Sequence, residues 1–302
     1  VYKRQADGTV GRLLAALDAR GLYDRALIVL LSDHGEGLGD HGEDEHGLLL
    51  YREEIQVPLV VKLPGAARAG ERVRRNVGLI DVVPTILGLL DIPASRTLPG
   101  VSLLAAGEAA PPADRAIYSE TMYPLIHFGW SDLASIVSGD LHLVDGLRPE
   151  LFDLVHDPGE RRDRALEERR PLAAMRRALA AIDRTLLPPA PADAETVAAL
   201  GALGYLGTPA ADQDRATLAD PRDKVAGIAP VLRGMRLYNE GDYPAAIAVL
   251  RPVVDRKGGD KRQGAADAGR PVVTGAGAGD GSALAWQYLG AAYDALGRKD
   301  DA

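Results

Sequence analysis

The segment that most constrains how this chain can fold is residues 26–31, Ala-Leu-Ile-Val-Leu-Leu, an unbroken apolar run that stops abruptly at Ser32-Asp33-His34-Gly35-Glu36. Six apolar residues are short for a helix and suit a strand buried on both faces. A helix precedes it, because Val10, Leu13, Leu14 and Leu17 recur at helical spacing and Gly21 supplies a stop. The same run type returns at residues 57–63, and residues 81–90 read as a helix capped by Asp81, with Pro84 tolerated in its first turn. Helices and strands alternate, which specifies an α/β layered architecture.

Beyond Pro111 the pattern changes. Residues 116–119, 133–137, 141–144 and 150–154 are short strand candidates that fit a small antiparallel sheet. Residues 170–187 form a helix pattern ended by Pro188, Pro189 and Pro191. Past Asp220 the periodicity is purely helical, except for a Gly/Ala-rich stretch at 257–282 without a period. These shifts divide the chain into a first domain at 1–190, a linker at 191–228 and a helical region at 229–302. A length of 302 residues with 46% hydrophobic content agrees with about two domains.

Within the helical region Gly234, Leu237, Gly241 and Ala246 align with Gly290, Tyr293, Gly297 and Ala302 at a constant offset of 56 residues. That offset equals one repeat of about 34 residues plus about 22 more, and small residues with a Gly-Asp-Tyr turn at 241–243 are those of tetratricopeptide repeats. The extra length coincides with the Gly/Ala-rich insert, which reads equally as a disordered loop or as a local sequence error.

Composition excludes several functions. The net charge of -8 argues against a nucleic-acid or anionic-membrane binder, and the absence of cysteine excludes disulfides, thiolate metal sites and a thiol nucleophile within these residues. The longest apolar stretch, 77–94, is broken by Asp81 and Asp91, leaving nine residues between charges where a membrane span needs about 20. The chain starts at Val1 without Met and is at once in a helix pattern, so it reads as part of something longer.

The chemistry concentrates after the first strand. Residues 33–46 contain six carboxylates, three of the six histidines and no Lys or Arg. Carboxylates this dense repel one another unless a cation or solvent separates them, and the end of a buried strand is where open α/β sheets place ligands. A metal held by Asp33 and His34 accounts for the cluster, while a solvated acidic loop is the plainer alternative. His41 reads as structural or solvent-facing. Glu36 and Glu54 could support the site, although carboxylates near strand ends are usually caps or surface groups. Lys62 could face an anion but more commonly would snorkel to water, and His127, His142 and His156 lack ligand spacing and read as surface or packing residues.

Taken in order, Ser32-Asp33-His34-Gly35-Glu36, His46-Gly47, Tyr51-Arg52-Glu53-Glu54 leading to Val57-Pro58-Leu59, Asp81-Val82-Val83-Pro84-Thr85 and Glu150-Leu151-Phe152-Asp153-Leu154 resemble the sulfatase family of the alkaline phosphatase-like superfamily. The resemblance covers about the first 190 residues, and the Leu-Gly-Tyr segment at 203–205 resembles tails that lead into repeats. It implies the C-terminal part of an alkaline phosphatase-like α/β sandwich with a small antiparallel sheet, followed by α-helical tetratricopeptide repeats. It also implies a hydrolase in which a divalent cation, usually Ca2+, lies beneath a sulfate ester, with Asp33 and His34 as the later metal-ligand pair. His46 would contact the substrate's sulfate oxygens. The family's nucleophile is a formylglycine made within a Cys/Ser-x-Pro-x-Arg motif, which these residues lack. The nucleophile and the remaining ligands are therefore expected in an N-terminal portion outside them, and the 302 residues alone are expected to be inactive. Export in a bacterium follows by the same analogy.

Two other readings stand beside this one. Phosphoethanolamine transferases of the same superfamily also carry Ser-Asp-His-Gly-Glu and a following His-Gly, with Zn2+ and a Thr nucleophile. Alternatively the chain acts through its helical repeats as a protein-binding module, whose concave groove suits a peptide or partner domain.

Overall fold

The structure, a computed structural model, describes residues 2–93, 98–104, 112, 115–185, 193, 217–258 and 282–298. The tail at 203–205, most of the proline-rich linker and of the insert, and Ala302 lie outside the described residues. The chain forms two compact units, Val1–Gly35 with Gln56–Ala113, and Glu36–Ile55 with Asp114–Ala302. The division therefore falls inside the acidic loop and cuts across the expected 1–190 domain. No helix among the described residues is long and apolar enough to cross a membrane.

In the first unit α1 (Tyr2–Ala19) ends where Gly21 adopts φ 63° and the Leu22 amide reaches the Leu17 carbonyl at 2.9 Å. Strands β1 (Ile28–Leu31) and β2 (Leu59–Lys62) pair antiparallel, with Val29 opposite Val61 and Leu30 opposite Val60. One short helix, α2 (Arg52–Ile55), lies between them in sequence and belongs to the second unit. The expectation that residues 26–31 are buried on both faces is corrected here. Val29, Leu59 and Val61 meet Val82, Ile86 and Leu89 of α3 (Val82–Leu89), but Leu30 and Val60 stay 44% and 56% exposed. A strand pair has two faces, and one helix covers only one of them.

The Asp-Val-Val-Pro-Thr motif is a clamp. Asp81, fully buried, accepts the Gly78 and Val101 amides at 2.9 and 3.0 Å, and the Thr85 hydroxyl donates to the Asp81 carbonyl at 2.6 Å while accepting the Leu103 amide at 2.9 Å. Buried backbone donors need acceptors, and this helix start supplies them to the returning chain. Lys62 neither faces an anion nor simply snorkels. Its ammonium donates to the carbonyls of Tyr23, Asp24 and Ala26, closing the turn before β1.

The second unit contains the expected antiparallel sheet, in the order β3 (Ile117–Thr121), β4 (Leu133–Ser138), β5 (Leu141–Asp145), β6 (Glu150–Asp153). A short helix, α4 (Tyr123–Phe128), joins β3 to β4. Alternation divides the side chains between two cores. Ala134, Ile136, Leu143 and Leu151 pack on Met175 and Leu179 of α5 (Arg169–Ala180), whereas Leu133, Val144 and Phe152 on the other face join Leu48–Tyr51 and Trp130.

Among the described residues this unit continues with three helices, α6 (Pro221–Asn239), α7 (Tyr243–Gly258) and α8 (Ser282–Ala295). Residues 221–228, expected in the linker, are the first two turns of α6, capped by the Asp220 carboxylate on the Arg222 amide at 3.0 Å. Gly241, at φ 82°, turns α6 into α7, and a Cβ at Gly234 would lie 2.3 Å from Leu250, so the hairpin is packed almost backbone to side chain. Val225, Ile228 and Leu232 of α6 enter the core of Leu48–Tyr51 and Trp130.

Candidate active site

The site is built from the loop after β1. In the first unit the Asp33 carboxylate accepts the His34 amide at 3.0 Å, and His34 Nδ1 lies 2.8 Å from the Gly35 carbonyl. A carbonyl can only accept, so Nδ1 is the donor, and the neutral ring then presents its lone pair at Nε2. That Nε2 is 3.8 Å from Asp33 Oδ1. Two electron-pair donors at this separation can share one cation at typical distances of about 2.1 Å for nitrogen and about 2.4 Å for oxygen. The pair thus fits a divalent cation as two of its ligands. Among the described residues no group of three or more His, Asp and Glu converges as a metal site, so the remaining ligands are not supplied by them.

The rest of the loop belongs to the second unit, and with it His46. Its Nδ1 is 3.4 Å from Glu36 Oε1, and both side chains are about half exposed. Gly37 sets the local path, since its amide donates to the Glu45 carbonyl at 2.7 Å and a Cβ there would fall 2.3 Å from the Glu43 carbonyl oxygen. Only glycine permits this approach.

His41 is structural. It stacks on Tyr51 with ring centroids 3.7 Å apart, Nδ1 bonds Glu53 at 2.6 Å and Nε2 donates to the Glu160 carbonyl at 3.2 Å. Burial works against its charged form, but the Glu53 carboxylate and the Glu160 carbonyl outweigh it and raise its pKa. Tyr51 donates to Glu150 at 2.8 Å, and burial together with that carboxylate holds its phenol well above the ordinary range.

Three carboxylates hold this loop from inside, of which sequence reasoning missed Glu43 and Glu160 and singled out Glu54 only as a possible support. Glu43 is fully buried and accepts the Leu48 and Leu49 amides at 3.0 and 2.8 Å. Glu54 is buried beside it and accepts the Gly47 amide at 3.3 Å. Glu160 takes the Arg52 amide at 2.7 Å and His142 Nδ1 at 2.5 Å in a fully buried pair. The signal was the run Leu48-Leu49-Leu50-Tyr51: buried apolar residues without a strand partner leave amides that some acceptor must meet. His142 is therefore a packing residue, His156 pairs at the surface with Asp153, and His127 lies against Tyr123.

Comparison with known proteins adds a family to this geometry. Residues 4–92 match the Sulfatase family. Bovine arylsulfatase K is 28% identical over 172 residues, covering 52% of this chain and 30% of that protein. The multifunctional alkaline phosphatase superfamily protein PehA of Trinickia caryophylli is 32% identical over 176 residues, covering 52% and 33%. Among solved structures, that of BT4656 in complex with its substrate D-glucosamine-2-N,6-O-disulfate superposes with a TM-score of 0.51 and 28% identity, over 58% of this chain and 37% of that one. The chain thus spans about a third of the length of the curated relatives it matches. The sulfatase match and these relatives support an α/β fold that resembles the sulfatases.

Proposed function

We propose that this chain is part of a metal-assisted sulfuric ester hydrolase, in which Asp33 and His34 ligate a divalent cation, Ca2+, and His46 contacts the sulfate group. The observation that carries the reading is the Asp33–His34 donor pair, 3.8 Å apart immediately after β1, inside the residues that match the sulfatases. A bound cation would polarise a sulfate oxygen as a Lewis acid. His34 presents its lone pair because Gly35 holds the opposite ring nitrogen, and Asp33 supplies the negative charge. His46 offers an imidazole whose hydrogen bond offsets charge developing on the sulfate oxygens, with Glu36 orienting the ring. The nucleophile lies outside these 302 residues, which contain no Cys/Ser-x-Pro-x-Arg motif, so they alone carry no turnover. Sulfated sugars are the substrate class favoured by the disulfated glucosamine in the BT4656 structure.

The likeness to a relative named as multifunctional within the alkaline phosphatase superfamily supports a second reading, hydrolysis or transfer of a phosphoryl group with Zn2+ at the same pair. For the helices, the close α6–α7 packing at Gly234 and the Gly241-Asp242 turn support a tetratricopeptide-type hairpin and a protein partner.

Asp33→Ala in the full-length enzyme tests the assignment. The variant should lose bound metal and turnover of an aryl sulfate while keeping its fold. Unchanged metal content and rate would sink the metal reading, and a preference for phosphate monoesters would favour the second one.

A further inference from the structure

We infer that the C-terminal helices are a functional part of the site: α6 braces the loop that carries His46, and Arg236 is a positioning residue that acts through Glu45. This rests on the reading that His46 contacts substrate.

The argument starts from one face of α6. Val225, Ile228, Leu232 and Arg236 are spaced by three, four and four residues and so share a stripe. The first three share a core with Leu48 and Leu49, the residues that follow His46-Gly47 in the loop. At the head of the loop, Gly42 stands so close to α6 that a Cβ added to it would touch Val225 at 3.5 Å. At the other end of the stripe Arg236 Nη1 lies 3.6 Å from Glu45 Oε1.

Glu45 is placed to transmit that contact. It precedes His46, its carbonyl accepts the Gly37 amide at 2.7 Å, and Gly37 follows Glu36, whose carboxylate meets His46 Nδ1. A shift of Glu45 therefore moves both partners of the Glu36–His46 contact. The Glu45 side chain is part-buried and its buried Oε1 has no hydrogen-bond donor, so the Arg236 guanidinium is placed to offset its charge. An apolar core holds the loop's distance from α6, and a single ion pair sets its register.

The test reads His46 directly. In the 302-residue chain labelled at histidine, the His46 ring signals are assigned by their loss in His46→Gln. Arg236→Gln and Glu45→Gln should each shift those signals, the double variant should shift them no further, and the reversed pair Arg236→Glu with Glu45→Arg should return them toward native. Signals unmoved by either single change overturn the inference. In the full-length enzyme Arg236→Gln should lower kcat/KM roughly three- to tenfold, with recovery in Arg236→Lys and no further loss in a His46→Ala background. An equal loss in both backgrounds overturns the positioning role, because the effect would not pass through His46. Shifted His46 signals together with full turnover in His46→Ala would instead keep the bracing and remove the substrate contact.

Discussion

Glu43 and Glu54 are neighbouring buried carboxyl groups, both with almost no exposure to solvent. Glu43 spends both oxygens on the Leu48 and Leu49 amides, and Glu54 Oε1 is buried without a hydrogen-bond partner. Two neighbouring buried carboxylates repel, so the neutral form of one of them is favoured, and Glu54 is that group. Burial first, and then the neighbouring Glu43 charge, push its pKa far above the ordinary 4.5. The acidic loop therefore closes over a Glu54 carboxyl that favours keeping its proton.

That proton links stability to pH. Between pH 4.5 and its raised folded value, Glu54 is protonated when folded and ionised when unfolded. Its contribution is complete below about pH 4.5 and declines as pH rises through that window. Glu54→Gln keeps a donor toward Glu43 and an acceptor for the Gly47 amide without needing a proton. It should raise unfolding stability at pH 8 by about 1–3 kcal/mol and change it little at pH 4.5. Urea unfolding followed by the fluorescence of buried Trp130 measures this, and a variant less stable at pH 8 than at pH 4.5 by the same margin as the parent would show that Glu54 is already ionised.

His46→Ala separates substrate contact from metal binding. The ring bonds Glu36, and on the proposed reading it contacts the sulfate and not the metal, so its loss should leave bound metal unchanged while lowering kcat of the full-length enzyme by about a hundredfold, the usual scale for one oxyanion donor. Metal analysis and turnover on the same preparation check it. Loss of metal with activity restored by added cation would make His46 a ligand.

How far the sequence could be read follows from where each residue finds its partner. The strands of the small sheet were legible because Leu133 to Ile136 and Leu141 to Val144 alternate between two cores with local neighbours. Asp33 and His34 could be singled out because a polar pair ends an apolar run, and the structure sets their side chains 3.8 Å apart there. Glu43 was not, and Glu54 was legible only as a possible support, because their surroundings in sequence are acidic and nothing there shows that they accept the Leu48, Leu49 and Gly47 amides. The stripe Val225, Ile228, Leu232 announced an amphipathic helix, yet nothing in its period names the loop about 180 residues earlier as its partner. The exposure of Leu30 was hidden for a related reason: an apolar run reports a need for two covered faces, not what covers them.

The helical hairpin offers a prediction whose sign differs between two positions that the repeat alignment treats as equivalent. At Gly234 an alanine Cβ would lie 2.3 Å from Leu250 Cγ and 2.4 Å from its Cδ2, and Leu250 is fully buried, so its side chain cannot retreat into solvent. Alanine in place of glycine within a helix gains about 1 kcal/mol of propensity, but overpacking a fixed contact costs about 1–3 kcal/mol or more, and here the clash involves a whole isobutyl group. Gly234→Ala should therefore destabilise, and Leu250→Ala in the same chain should recover part of the loss by making room. At Gly290 no atom lies within 4 Å of an added Cβ, so Gly290→Ala should stabilise α8 by up to about 1 kcal/mol. If the tetratricopeptide reading is right, Gly290 faces the next helix in a longer protein as Gly234 faces α7. Extending the chain by that helix should then turn the Gly290→Ala effect from stabilising to destabilising. Thermal unfolding of both variants in both lengths decides it, and a Gly290→Ala effect that keeps its sign in the longer chain would remove the repeat assignment while leaving the α6–α7 packing as described.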